Sequence, residues 1–335
     1  MILVTGGTGL VGAHLLFELT KNGSAVKAIC RATSDVQKVE KVFSYYTENY
    51  KELYQKIQWI NADLTNIPDL ETAFAGVTYV YHCAALISFD PKDYDQLQKV
   101  NCEGTSNIVN LCIAKNIKKL CYVSSIATIG KNLNHEAVDE ETEWTKKDAN
   151  VYALSKYDAE MEVWRGSQEG LAVVILNPGV IIGPGFWGTG SGKLYTTVAK
   201  EHRYYPPSGT GFVAVNDVVQ LLVMAMNSNI DKERFITISE NLSYKDVLGL
   251  IALELGLKPP TKALAFWQLE VLWRLDALRS FLFKGERKIS QKMVASLREN
   301  KVYRNEKVTS TFNYKFQALQ PSIAFTSEKF KKEKL

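Results

Sequence analysis

The first 176 residues alternate between two hydrophobic patterns. Short apolar and β-branched runs at Ile2–Thr5, Ala25–Cys30, Ile57–Ile60, Thr78–Cys83, Leu120–Ser124 and Ala172–Leu176 read as strands. Most are apolar at consecutive positions, the pattern of parallel strands covered by helices on both faces. Between them, Val11–Lys21, Tyr94–Lys115 and Tyr152–Gln168 carry helical periodicity. This alternation predicts an α/β fold with a doubly wound parallel sheet. Ser34–Lys56 is longer than one crossover needs and predicts an inserted helix or helix pair.

From Asn177 the rhythm breaks, with Gly and Pro clusters at Asn177–Gly192 and Tyr205–Gly211. Helical patterns follow at Asp217–Met226, Tyr244–Leu255, Ala263–Phe283 and Ser290–Glu299, and Phe235–Ser239 reads as one more strand. The chain therefore divides into a sheet domain, residues 1–176, and a smaller C-terminal substrate lobe, residues 177–335. Segments near 212–239 are expected to return to the sheet.

Composition narrows the class. With 335 residues, 46% hydrophobic and 23% charged, and only 21 Gly, 9 Pro and 5 Cys, the chain is no disordered, collagenous or disulfide-scaffold protein. No apolar run approaches the ~18 residues of a membrane span. Met1–Gly12 lacks the charged start of a leader and reads as the fold itself, so a cytoplasmic location is expected. The five cysteines, all within the first 121 residues, show neither C-x-x-C nor metal-ligand spacing, so reduced, mostly buried thiols and no metal site are expected. The net charge of +4 is too small to argue for nucleic acid, but it hides −5 in residues 1–176 and +9 in the rest. The basic tail Lys329–Lys334 reads as a frayed end.

The strongest local signal is Val4-Thr5-Gly6-Gly7-Thr8-Gly9-Leu10-Val11-Gly12. A strand, a glycine turn and a helix start follow one another, the context of a Rossmann-type dinucleotide site. Gly6 and Gly9 permit the turn, Gly12 the close packing of helix on strand, and the amides opening the helix at Leu10 and Val11 hold pyrophosphate. After the second strand stands Arg31 rather than an acidic residue, which favours the 2′-phosphate of NADP(H) over NAD(H). Asp63-Leu64 follows the third strand, where Asp63 either accepts from the adenine amino group or caps a helix. Ala84 and Ala85 are small where a ribose or nicotinamide passes the sheet edge.

Tyr152 and Lys156 lie four apart on a predicted helix and so share a face. Free Tyr and Lys titrate near ~10 and ~10.4. A neighbouring ammonium is expected to lower the phenol and make Tyr152 a general acid/base. Ser124 and Ser125 end a strand on the ligand-binding side of the sheet, where a hydroxyl can hold a substrate oxygen.

With these residues assembled, the chain resembles the extended short-chain dehydrogenase/reductase (NAD-dependent epimerase/dehydratase) family. The matching pieces are Thr5-Gly6-x-x-Gly9-x-x-Gly12, Asp63-Leu64, His82-Cys83-Ala84-Ala85, Asn101 and Ser124-Ser125. Tyr152-x-x-x-Lys156, Asn177-Pro178-Gly179, Gly183-Pro184-Gly185 and Phe212–Val218 continue the match, which weakens after about residue 245. The resemblance implies a triad of Ser125, Tyr152 and Lys156, with Ser125 preferred over Ser124 by its register to Gly130. It implies cofactor contacts from Gly6, Thr8, Gly9, Leu10, Val11, Gly12, Arg31, Asp63, Leu64, Ala84 and Ala85. Tyr152 and Lys156 would join them, with Lys156 on the nicotinamide ribose and Pro178, Val180 and Ile181 along the ring. Asn101 is expected to order backbone, and members often dimerise through the helices at Tyr94–Lys115 and Tyr152–Gln168.

The family's dehydratases carry an Asp-Glu pair after the catalytic hydroxyl, where this chain has Ile126 and Ala127. Its epimerases have an arginine ahead of the segment that here reads Gly209–Val213, although Lys193 or Arg203 could substitute. The expected function is thus NADP(H)-dependent reduction of an aldehyde or ketone, or oxidation of the alcohol. The reductases resembled are those related to dihydroflavonol 4-reductase and 3β-hydroxysteroid dehydrogenases. An epimerase, or a non-catalytic NADP(H)-binding sensor, is the alternative. Phe186, Trp187, Tyr195, Tyr204, Tyr205, Phe266, Trp267 and Trp273 either line an apolar pocket or belong to the core. Ala263–Phe283 reads as a buried helix in preference to one lying on a membrane surface.

Overall fold

The computed structural model describes residues 1–130, 137–147, 149–283, 290–297 and 301–335, without the side chains of 281, 283, 293 and 296. Among the described residues the strands are β1 Ile2–Thr5, β2 Val26–Cys30, β3 Ile57–Asn61, β4 Tyr79–His82, β5 Lys119–Val123, β6 Val173–Pro178, β7 Val180–Ile182, β8 Tyr204–Tyr205, β9 Gly209–Ala214, β10 Glu233–Thr237, β11 Glu240–Ser243 and β12 Lys262–Ala263. The first seven helices are α1 Leu10–Lys21, α2 Gln37–Phe43, α3 Tyr50–Gln55, α4 Ile67–Phe74, α5 Tyr94–Leu97, α6 Gly104–Ala114 and α7 Val151–Gln168. Seven more are α8 Gly192–Val198, α9 Val215–Asn227, α10 Tyr244–Leu255, α11 Phe266–Phe283, α12 Gln291–Ser296, α13 Glu306–Phe312 and α14 Leu319–Lys334. Residues 298 and 299 of the helical pattern expected at Ser290–Glu299 lie outside the described residues.

Seven parallel strands form the main sheet in the order β10-β6-β5-β4-β1-β2-β3. The direction of winding reverses between β1 and β4, so a crevice opens beyond the C-terminal ends of these two strands, where such sheets bind ligands. Helices cover both faces, as the doubly apolar strands require. Leu15, Leu16 and Leu19 of α1 join Val218 and Leu222 of α9 on one side. Ile108 and Cys112 of α6 join Ala159 and Val163 of α7 on the other. The insertion at 34–56 supplies the helix pair α2 and α3.

Between 212 and 239 the chain adds α9 to one sheet face and β10 to the sheet edge beside β6. β9 pairs instead with β7 and β11 in a separate three-stranded sheet. Around these, Trp187, Tyr195, Phe212, Ile251, Leu255, Ile323 and Phe330 form a third core. The basic tail is not frayed. It forms the end of α14, with Phe330 buried and Glu333 accepting from Trp187 Nε1 at 2.9 Å and from the Tyr45 hydroxyl. All five cysteines are free thiols, but only Cys112 and Cys121 are buried, fewer than expected.

Candidate active site

The glycine turn sits in the crevice. Gly6 has φ of +67°, the left-handed region, and a Cβ there would stand 2.5 Å from the Ala84 nitrogen. A Cβ on Gly12 would stand 2.1 Å from the Gly6 carbonyl oxygen. The Gly9 amide closes the turn onto that carbonyl at 2.9 Å. Gly9 caps α1 without a side chain, so the first-turn amides beside Leu10 and Val11 have no side-chain acceptor. Thr8 is half-buried at the lip. Opposite, His82 bridges Thr5 Oγ1 at 2.6 Å and Thr105 Oγ1 at 2.9 Å, tying the ends of β1 and β4 to α6. Burial lowers His82 to about 3, so the ring is neutral and serves one hydroxyl as donor and the other as acceptor. Ala84 is half-buried and Ala85 exposed on the far lip.

Arg31 is exposed at the end of β2, and Asp35 is engaged with Lys38 at 3.4 Å. Asp63 does not cap α4, whose N-cap is Asn66. Its carboxylate accepts from the Thr65 amide at 2.9 Å and hydroxyl at 2.7 Å, which holds it below the ordinary carboxylate range. The Arg31 and Lys99 cations act in the same direction. Leu64 is buried against Gly104. Pro178 ends β6, and Val180 and Ile181 open β7, half-buried.

The two serines that sequence leaves adjacent are separated by the fold. Ser124 is buried and donates to Glu160 Oε2 at 2.5 Å. Ser125 caps a short 3-10 turn, its Oγ accepting from the Ala127 amide at 3.1 Å, which leaves the hydroxyl proton to donate. Ser125 faces Tyr152, on the first turn of α7, and its hydroxyl works to lower the phenol's pKa. Phe89 stands edge-on to the Tyr152 ring at 5.5 Å. Lys156, one turn on, is buried and donates to Tyr122 Oη at 2.6 Å and to the Val123 carbonyl at 3.0 Å.

Burial dominates the electrostatics here. It raises Tyr152 to about 12, only partly opposed by the Ser125 hydroxyl, and lowers Lys156 to about 7. The expected lowering of Tyr152 by Lys156 is therefore not found in the free chain. The ammonium is spent on Tyr122 and a backbone carbonyl, and desolvation outweighs the rest.

Three groups that sequence reading passed over support this cluster. Glu160, fully buried, also accepts from Thr128 Oγ1 at 2.7 Å, Asn177 Nδ2 at 2.9 Å and Arg234 Nη1 at 3.2 Å. Tyr122 stacks on His82 at 5.3 Å and accepts a hydrogen bond from Lys156 Nζ. Glu160 was discoverable, since Tyr152, Lys156 and Glu160 recur at intervals of four on one helix face. Arg234 arrives from another strand and carries no such signal. Asn101 lies on a π-helical segment, Gln98–Glu103, and orders backbone as expected, accepting from the Leu86 amide at 2.7 Å and donating to its carbonyl at 3.0 Å.

The aromatic set divides. Trp187 and Tyr195 are core, Phe186, Tyr205 and Trp273 are half-buried, and Tyr204, Phe266 and Trp267 are exposed. The helix expected to be buried, α11, is not. Leu269 and Ser280 are covered, while Val271, Leu272, Leu275, Leu278 and Leu282 face outward. Among the described residues, no cluster of three or more His, Cys, Asp or Glu is placed to hold a metal, and no helix is long and apolar enough to cross a membrane.

Comparison with known proteins bears on this site. The model of the NAD dependent epimerase/dehydratase family matches residues 2–238. A Synechocystis sp. protein provisionally named dihydroflavonol 4-reductase is 31% identical over 273 residues, covering 79% of this chain and 75% of that one. The Arabidopsis thaliana tetraketide alpha-pyrone reductase 2 is 27% identical over 264 residues, covering 74% and 81%. The crystal structure of gox2253 superposes with a TM-score of 0.84 at 25% identity, covering 100% of this chain and 98% of that chain.

Proposed function

The chain belongs to the NAD dependent epimerase/dehydratase family, whose members are oxidoreductase-type enzymes, and on that premise we propose that it is an NADP(H)-dependent reductase of an aldehyde or ketone. Run in reverse, it oxidises the corresponding alcohol. The observation that carries this reading is the placement of Ser125, Tyr152 and Lys156 together beyond the end of β5, with Tyr152 and Lys156 one turn apart on α7 and Lys156 donating to the Val123 carbonyl.

The cradle fits a dinucleotide, because Gly6 and Gly12 let the turn and α1 pack directly on backbone and the amides opening α1 have no side-chain acceptor. Gly6, Thr8, Gly9, Gly12 and the amides of Leu10 and Val11 would hold the pyrophosphate. Arg31 would pair with a 2′-phosphate, and Asp63 would accept from the adenine amino group beside Leu64. Ala84 and Ala85 would flank the ribose, and Pro178, Val180 and Ile181 the nicotinamide. When bound, the nicotinamide supplies or accepts the hydride.

This chain's residues handle the proton and the charge. Tyr152, held protonated by burial, gives its phenol proton to the carbonyl oxygen. Ser125 donates to the same oxygen and steadies the developing alkoxide. Lys156 keeps a third N–H for the ribose hydroxyls after serving Tyr122 and Val123. Ile126 and Ala127 have no proton to move where a dehydratase needs an acid and a base, and Gly209–Val213 brings no cation for a nucleotide diphosphate.

The test is NADPH consumption with a panel of aldehydes and ketones. Tyr152→Phe is expected to lose ~10²–10⁴-fold in kcat while still binding NADPH. The reading fails if no carbonyl supports turnover, or if the variant turns over at the parental rate.

A further inference from the structure

The outward face of α11 is apolar in a way the fold does not use. At ~100° per residue, Trp267, Val271, Leu275, Leu278 and Leu282 fall within an arc of roughly 80°, opposite the buried Leu269 and Ser280. Their exposures are 69, 47, 57, 54 and 62%. Single exposed leucines need no explanation, but a continuous stripe over four turns does. Arg274 and Arg279 flank it on either side, each paired within the helix, to Glu270 at 2.7 Å and Asp276 at 2.8 Å. Arginines so placed can lay their stems along apolar surface and keep their charge in the polar layer. The surrounding sequence is strongly basic, with eleven Lys and Arg against four Asp and Glu in residues 258–304.

The same helix is fastened to the entrance of the proposed site. Lys92 Nζ donates to Ser280 Oγ at 2.8 Å, joining α11 to the loop that carries Phe89 onto Tyr152. From α12, which packs against α11, Lys292 Nζ donates to the Ala149 carbonyl at 2.7 Å, just ahead of α7. On that loop Ile87 and Phe89 are themselves exposed, so the apolar surface reaches the mouth.

We propose that the outward face of α11 docks on an anionic lipid surface and holds the site's mouth against it, so that the substrate is a carbonyl or alcohol dissolved in the bilayer. The substrate half rests on the reductase reading; the docking half does not. The charge decides the occupant. Apolar side chains between cations match an anionic headgroup layer over acyl chains. A second copy on this face would set one net-basic segment, residues 258–304, against another, which disfavours pairing.

Co-sedimentation of the full chain with vesicles tests it, using phosphatidylcholine alone and a two-to-one mixture with phosphatidylglycerol. Binding to the mixed vesicles, weakened by salt, is expected, with a ~10-fold or greater loss of partitioning in Leu275→Asp/Leu278→Asp. Both positions are exposed, so the variant should keep the parental unfolding midpoint and NADPH affinity. Failure to sediment with either vesicle overturns the proposal, as does equal binding to the neutral ones or undiminished binding by the variant. A parental dimer that the variant dissolves assigns the face to a second copy and overturns it too. Vesicle binding without turnover of any carbonyl sinks the reductase reading and leaves docking standing. Turnover of short soluble carbonyls without vesicle binding does the reverse. If both hold, long-chain carbonyls presented in mixed vesicles should be turned over faster than the same carbonyls in detergent, and equal rates would remove the substrate half.

Discussion

Glu160 offers the sharpest test of how the site is held together. Its carboxylate is fully buried, and five donors converge on it. Ser124 at 2.5 Å, Thr128 at 2.7 Å and Asn177 at 2.9 Å meet Oε2; Arg234 at 3.2 Å and Trp164 Nε1 at 3.4 Å meet Oε1. Glu160→Ala removes the anion and leaves these donors facing a void. Deleting one partner of a buried ion pair costs ~3–5 kcal/mol. The four neutral donors at ~1–3 kcal/mol each set an upper bound, eased because Thr128 and Asn177 also reach the Ser125 carbonyl and Arg234, 21% exposed, can turn to water. A loss of ~3–5 kcal/mol is therefore expected in urea unfolding. Glu160→Gln, which keeps one acceptor oxygen, should lose ~1–3 kcal/mol. Catalysis should suffer separately, because Thr128 Oγ1 at 2.8 Å and Asn177 Nδ2 at 3.3 Å both hold the Ser125 carbonyl. The glutamine variant should thus fall in kcat with its NADPH Kd near the parental value. A stability change under ~1 kcal/mol for the alanine variant, with unchanged kcat, would refute the claim that this network fixes Ser125.

Gly12→Ala places a methyl 2.1 Å from the Gly6 carbonyl oxygen, so the turn must shift; a loss of ~1–3 kcal/mol and weaker NADPH binding should appear in parallel unfolding and titration measurements. Arg31→Asp should invert the proposed cofactor preference, read as the ratio of kcat/KM for NADPH and NADH; an unchanged ratio would release Arg31 from that role. Lys156 titrates near 7 in the folded chain against 10.5 when free, so between those values the unfolded chain binds the extra proton and stability rises with pH. Lys156→Met should flatten that limb of the pH–stability curve. His14 behaves alike on the acid side: lowered to about 4 by burial, it stabilises fully above 6.5 and progressively less as pH falls towards 4, a slope that His14→Gln should remove.

The sheet and the glycine turn after β1 were legible in sequence because their signals are local. A strand buried on both faces must be apolar throughout, and a turn in which a Cβ on Gly6 would stand 2.5 Å from the Ala84 nitrogen admits no side chain. The spacing of Tyr152 and Lys156 likewise follows from helix geometry alone. What sequence left open depends on partners far along the chain. Ser124 and Ser125 are told apart in sequence only by a family's register; the physical difference is that Glu160, 36 residues away, takes the hydroxyl of the first. The direction of the Tyr152 and Lys156 shifts depends on how much water the folded chain excludes, which no motif records. The tail was misread because Phe330 and Glu333 are held by Tyr195, Trp187 and Tyr45, from three other segments. In α11, apolar residues occupy both the covered and the open face, so periodicity could not say which side the core would take. Local geometry writes itself into residue spacing, whereas the partner of a buried or an exposed group is chosen only when distant segments meet.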